Sequence, residues 1–199
     1  MTDTKNLFLN KELRAGGFYE LAIQVCPSSD NEPIRRYTNF IWTLDKVQGP
    51  FDDNFDKIQT DIKNNRHNGI LRLGEFEIPF MTYNIREEEP IETGFNWFDI
   101  CFYTAAIENV FGSEYETWTE IPKAPKQLDD FLIMTLKTLY KIYPLKLAIL
   151  GFEVSGQYYL DNLKTDLTYD CTPTNFFLGQ DSLELISERN KKLMTIIDK

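Results

Sequence analysis

Apolar and polar positions change period several times along the chain, and each change marks an element. FYELAIQVC, residues 18–26, is an apolar run bounded by Gly16-Gly17 and by the turn formers between Pro27 and Pro33, which predicts a strand. RRYTNFIWT, residues 35–43, is dense in aromatic and β-branched side chains and reads as a second strand. After Gly49-Pro50 the period lengthens. Phe51, Phe55, Ile58 and Ile62 fall at spacings of four, three and four, one apolar face of a helix over 51–65. Pro50 suits its first turn, and Asp52 and Asp53 complement the positive end of its dipole.

From Gly69 to Arg86 the chain is strand-like again, with Pro79 marking a bulge or a tight junction. FNWFDICFYT, residues 95–104, is apolar on both faces and predicts a covered strand. Ala105 to Phe111 makes a short helical turn closed by Gly112. The best helix spans 127–143, where Leu128, Leu132, Leu136 and Leu139 line one side and Pro144 stops it. LKLAILGFEV, from Leu145, is a further strand. A last helix is expected over 182–198, with Asp181 and Glu184 at capping-box spacing and Leu183, Ile186, Leu193 and Ile197 on its inner face.

Two stretches resemble each other: LRLGEFEI from Leu71 and LAILGFEV from Leu147. Each follows a strand, a loop containing Glu-Pro-Ile (residues 32–34 and 89–91), an aromatic strand, a short turn ending in Gly49 or Gly112, and a helix. This order predicts an α+β fold with a mainly antiparallel sheet, built from two tandem β-β-α-β units plus a C-terminal helix. The units would cover 17–78 and 75–160, followed by an extension over 161–199, all within one compact domain of 1–199. One such unit hides too little apolar surface to be stable alone. The two would therefore dock and leave a groove along their seam.

Composition supports a packed core: 42% of residues are hydrophobic and 14% aromatic, well above what a disordered chain carries. The formal charge of −10 argues against nucleic acid, whose backbone needs clustered Lys and Arg, and favours a basic partner. Cys26, Cys101 and Cys171 are odd in number and far apart, without zinc spacing, which suits free thiols in a reducing compartment. With no signal-peptide pattern and no membrane-length apolar run, the expected location is the cytoplasm.

Candidate chemistry is sparse. The one histidine, His67, sits in the polar run 64–69 and is expected at the surface, so no histidine metal site or Ser-His-Asp triad is expected. Walker and dinucleotide-binding glycine motifs are absent, and no cofactor is expected. Paired carboxylates remain. Glu75 and Glu77 share a strand face, and Glu153 occupies the place of Glu77 in the second unit, so all three are candidates to line the seam.

The functional expectation is a non-enzymatic, acidic cytoplasmic protein that binds another protein, plausibly basic, as an inhibitor or immunity-type protein does. Its expected contact residues are Glu87, Glu88 and Glu89 in one loop and Glu114, Tyr115, Glu116, Trp118 and Glu120 in another, aromatic anchors within an acidic rim. The alternative is a small-molecule-binding domain or carboxylate-dependent hydrolase using Glu75, Glu77 and Glu153. A homodimer without its own site is the third reading.

Overall fold

The computed structural model describes residues 4–63, 66–87, 94–115, 123–164 and 174–198. Eight strands form one sheet: β1 (Phe18–Pro27), β2 (Val47–Phe51), β3 (Arg66–Leu73), β4 (Phe76–Arg86), β5 (Phe95–Tyr103), β6 (Leu147–Phe152), β7 (Asn175–Gly179) and β8 (Met194–Ile197). Their order across the sheet is β2-β3-β4-β5-β1-β6-β7-β8. Every neighbouring pair is antiparallel except β7 and β8. The helices are α1 (Thr4–Leu9), α2 (Glu32–Ile41), α3 (Thr104–Phe111), α4 (Lys126–Ile142), α5 (Leu160–Leu163) and α6 (Glu188–Lys191). The fold is α+β with a mainly antiparallel sheet, as the alternation of periods implies. None of the described helices is long and apolar enough to cross a membrane.

The central strand β1 is buried on both faces because each face has its own cover. Period-two alternation sends Leu21, Ile23 and Val25 to one side, where they meet Tyr37 and Ile41 of α2 and Leu132, Leu136 and Leu139 of α4. Ala22, between them in sequence, faces the other side with Trp97, Ile149 and Leu178, beneath Val154, Leu160, Leu163 and Ile186. Two hydrogen bonds tie the helical layer down: Tyr37 Oη donates to the Tyr143 carbonyl at 2.7 Å, and Tyr19 Oη donates to the Asp129 carboxylate.

Three expected elements differ. Residues 35–41 lie in a helix and Trp42-Thr43 in the turn after it, rather than in a strand, because Ile34, Tyr37, Thr38 and Ile41 recur at helical spacing and are all buried. Pro33 sits in the first turn, and Glu32 pairs with Arg35 and Arg36 on the outer face. Residues 51–65 hold no helix in their described part. Asp52 instead accepts the Asn54 and Asp56 backbone N–H groups at 2.9 Å, a local turn that competes with the helical ladder. Phe51 extends β2, and its ring packs on Phe55 and Phe8.

The third difference is the expected helix over 182–198, which divides into a 3-10 turn at Gln180–Leu185, the short α6 capped by Ser187, and β8. The β-branched run Thr195-Ile196-Ile197 favours the strand. Among the described residues the first unit runs β1-α2-β2-β3, which is not the expected β-β-α-β order. The two look-alike stretches also differ in geometry. LRLGEFEI folds at Gly74-Glu75 into the β3–β4 hairpin, with Gly74 at φ 64°, whereas LAILGFEV runs as β6 straight through Gly151.

Candidate functional site

A groove of about 670 Å³ lies between α4 and the tip of the β3–β4 hairpin. Its position follows from the helix period. Leu128, Leu132, Leu136 and Leu139 of α4 are spent on the core, and the stripe beside them (Gln127, Asp130, Phe131, Met134, Thr135, Thr138) forms one wall. Phe40 and Leu44, at the end of α2 and just after it, and Leu73 and Phe76 of the hairpin complete an apolar floor. Met134 is 68% exposed. Asp45, Glu75 and Asp130 stand on the rim against Lys46 alone, while Lys126, outside the lining, bonds Asp130.

A second cluster lies on the opposite face. Glu20 and Asp99 project from neighbouring strands, Glu20 opposite Cys101 and Asp99 opposite Ala22. They are 3% and 1% exposed. Segment 153–159 closes over them: the Ser155 N–H donates to Glu20 Oε1 and the Ser155 hydroxyl to Asp99 Oδ2, both at 2.7 Å. Cys101 Sγ donates to Glu20 Oε2 at 3.3 Å, and Asp99 Oδ1 has no hydrogen-bond partner. Burial pushes the Asp99 carboxyl up to about 8, reinforced by the Glu20 charge. Burial also raises Glu20, against the hydrogen bonds it receives. Enclosed in this way the pair offers a substrate almost no surface, and its effect is on stability.

The sequence candidates scatter. Glu75 is in the groove. Glu77 is held by Arg72 at 3.0 and 2.5 Å and by Thr4 at 2.8 Å. Burial opposes its charge, but these donors win and keep its carboxyl below the usual range. Glu153 borders the second cluster at φ 52°, accepting the Phe18 N–H at 2.5 Å. β4 and β6 are separated by β5 and β1, so three strand spacings, at least about 14 Å, part Glu77 from Glu153, and neither lines the groove with Glu75. Glu87 closes the β4–β5 pairing by accepting the Phe95 N–H at 3.1 Å. Glu114 and Tyr115 form a 3-10 turn after α3, where Tyr115 packs on Phe111 and Phe111 on the groove residue Phe76, with ring centroids 6.3 and 5.1 Å apart. Glu88, Glu89, Glu116, Trp118 and Glu120 lie outside the described residues.

His67 is a correction: it is fully buried on β3, not at the surface. Its Nε2 accepts the Asp61 N–H at 3.2 Å, and burial lowers its pKa. Among the described residues no group of three His, Cys, Asp or Glu side chains is placed to hold a metal ion.

Cys26 and Cys101 are free thiols and both are buried, and burial raises both above the ordinary thiol value. In a Cys171→Ser background, both are expected to react with Ellman's reagent at least about tenfold more slowly in the native than in the denatured chain. Equal rates would contradict their placement.

Comparison with protein-family models, with curated proteins and with solved structures finds no match to this chain.

Proposed function

We propose that this chain is a non-enzymatic binding protein, of the inhibitor or immunity type, whose groove between α4 and the β3–β4 hairpin takes a basic, amphipathic segment of a partner protein. The observation that carries this reading is the pairing of an apolar floor with an acidic rim on one open surface. Phe40, Leu73, Phe76 and Met134 supply area that gains by leaving water, at about 25 cal/mol per Å². Asp45, Glu75 and Asp130 supply the charge that steers a cation-bearing segment into register. A small-molecule site would need polar groups converging at depth, whereas the carboxylates here stand at the edge. The Glu114–Tyr115 turn, linked to the floor through Phe111, extends the same surface.

The test is a fluorescence titration with a labelled amphipathic Leu/Lys peptide. Saturable binding is expected, weakening several-fold between about 50 and about 500 mM NaCl as rim charges are screened. Reversing Asp45 and Glu75 together (Asp45→Lys, Glu75→Lys) is expected to weaken it roughly tenfold. Binding indifferent to both salt and the double reversal would overturn the reading.

A further inference from the structure

A second cavity, of about 580 Å³, opens at the head of α2, between Ile34 of its first turn, the segment Ile62-Lys63 and the end of β4. It lies at the other end of α2 from the groove, which Phe40 and Leu44 border. Its charge runs against the rest of the molecule. In a chain of net charge −10, Lys63 and Arg86 line it, and no carboxylate does among the described residues. Neither cation has an ion-pair partner there. The nearby acids are already engaged. Asp61 accepts the Lys63 N–H at 2.9 Å, Glu87 the Phe95 N–H and Asp30 the Glu32 N–H, both at 3.1 Å, while Glu32 pairs with Arg35 and Arg36. Two cations without a counter-ion thus meet on one concave surface.

A buried polar group in the wall adds to this. Asn84 of β4 and Asn96 of β5 both line the cavity. Asn96 Nδ2 is spent on the Pro27 and Asp30 carbonyls at 3.2 and 2.7 Å. Asn84 is only 7% exposed, its Oδ1 stands 2.9 Å from Thr38 Oγ1, and its Nδ2 has no acceptor. A buried N–H without an acceptor is costly, and a ligand oxygen supplies the missing partner. Ile34 and Ile62 give the cavity an apolar wall. This combination suits a carboxylate on a hydrocarbon body better than a phosphate. A phosphate at a helix start draws on free backbone N–H groups, but here the Glu32 N–H is taken by Asp30 and Pro33 has none.

We propose that this cavity binds a small organic carboxylate, its charged group received by Asn84 Nδ2, Lys63 and Arg86 and its hydrocarbon body packed on Ile34 and Ile62. The volume is in the range of small-molecule sites. Occupancy leaves the groove between α4 and the β3–β4 hairpin open, since the two share no lining residue.

Isothermal titration calorimetry of the full chain with octanoate tests it. Saturable binding at one site is expected, at least about tenfold tighter than that of octanamide, which has the same body without the charge. Lys63 and Arg86 are exposed, so Lys63→Gln and Arg86→Gln are expected to leave the melting temperature unchanged. Each should weaken octanoate several-fold, and the two together about tenfold or more. Asn84→Asp keeps the shape but sets a second carboxylate against the ligand, and is expected to abolish binding; should that variant fail to fold, the Lys63 and Arg86 substitutions still decide. Inorganic phosphate, at constant ionic strength, is expected not to compete. No octanoate binding, equal affinity for octanamide, affinity unmoved by the double substitution, or displacement by phosphate overturns the proposal.

Discussion

Raising the pH from about 6.5 to about 8 is expected to destabilise the folded chain by about 2 kcal/mol, and Asp99→Asn to remove most of that loss. Asp99 is held up to about 8 when folded and returns to the ordinary carboxyl value, 3.8, when unfolded. A raised folded value means that the native state holds a proton the unfolded state has released. Stability is therefore complete below the unfolded value and declines until pH passes the folded one. The limiting slope is about 1.4 kcal/mol per pH unit. Glu20, also raised, acts in the same direction.

His67 acts in the opposite direction. Its lowered folded value costs stability as pH falls below 6.5, so the two effects partly cancel on the acid side and the unopposed window lies above it. Asparagine has the shape of the aspartate it replaces, can keep the contact with Ser155, and carries no charge to repel Glu20. At pH 8 the variant should melt roughly 4–8 °C above the parent. Parallel melting curves for the two across pH 6.5–8 would place Asp99 elsewhere than in a closed, low-dielectric setting.

Gly69→Ala is expected to cost about 3 kcal/mol or to prevent folding. A Cβ at Gly69 would stand 2.5 Å from Trp42 Cζ3, 2.6 Å from the Gln48 carbonyl oxygen and 3.0 Å from Phe80 Cε1. The Gln48 oxygen belongs to the β2 backbone and cannot swing aside. Trp42 is stacked on Phe80 with ring centroids 5.4 Å apart, and Phe80 on Phe102 at 5.7 Å, so the rings cannot give way singly. Gly74→Ala is the control: nothing lies within 4 Å of its Cβ, and only its φ of +64° resists, at about 1 kcal/mol. Urea denaturation of both variants reads the difference. A Gly69→Ala protein within about 1 kcal/mol of the parent would mean that β2 does not dock on β3 as described.

Where one period dominated, the sequence was sufficient. β1, β5 and α4 emerge within a residue or two of their expected ends, because Leu21, Ile23 and Val25 alternate and the leucines of α4 recur every three to four residues. Where composition and period disagreed, period won: Tyr37 and Phe40 are helical because Ile34, Tyr37 and Ile41 share a side. The apolar spacing over 51–62 misled for another reason, since the Asp52 side chain captured the local N–H groups first. The likeness of the Leu71 and Leu147 stretches concealed that one glycine turns a hairpin and the other lies within a strand.

The site was legible only in part. Glu75 reached the groove because a hairpin tip is exposed, and Asp130 is visible as the polar edge of an amphipathic helix. Their meeting with Asp45 depends on how α4 packs beside the end of α2, which no local pattern encodes. Glu20 and Asp99 left a fainter trace, single acids inside otherwise apolar strands. That pattern signals a buried carboxyl when the strand is covered on both faces.

The measurement that bears most directly on the binding groove is a backbone amide NMR titration of the full chain with the amphipathic Leu/Lys peptide. Shifts are expected to concentrate at Phe40, Leu44, Phe76, Phe131 and Met134, the residues lining the groove, and to shrink as salt rises. Shifts confined to the opposite face around Tyr159 and Leu163, or none at saturating peptide, would contradict a groove that binds a basic partner segment.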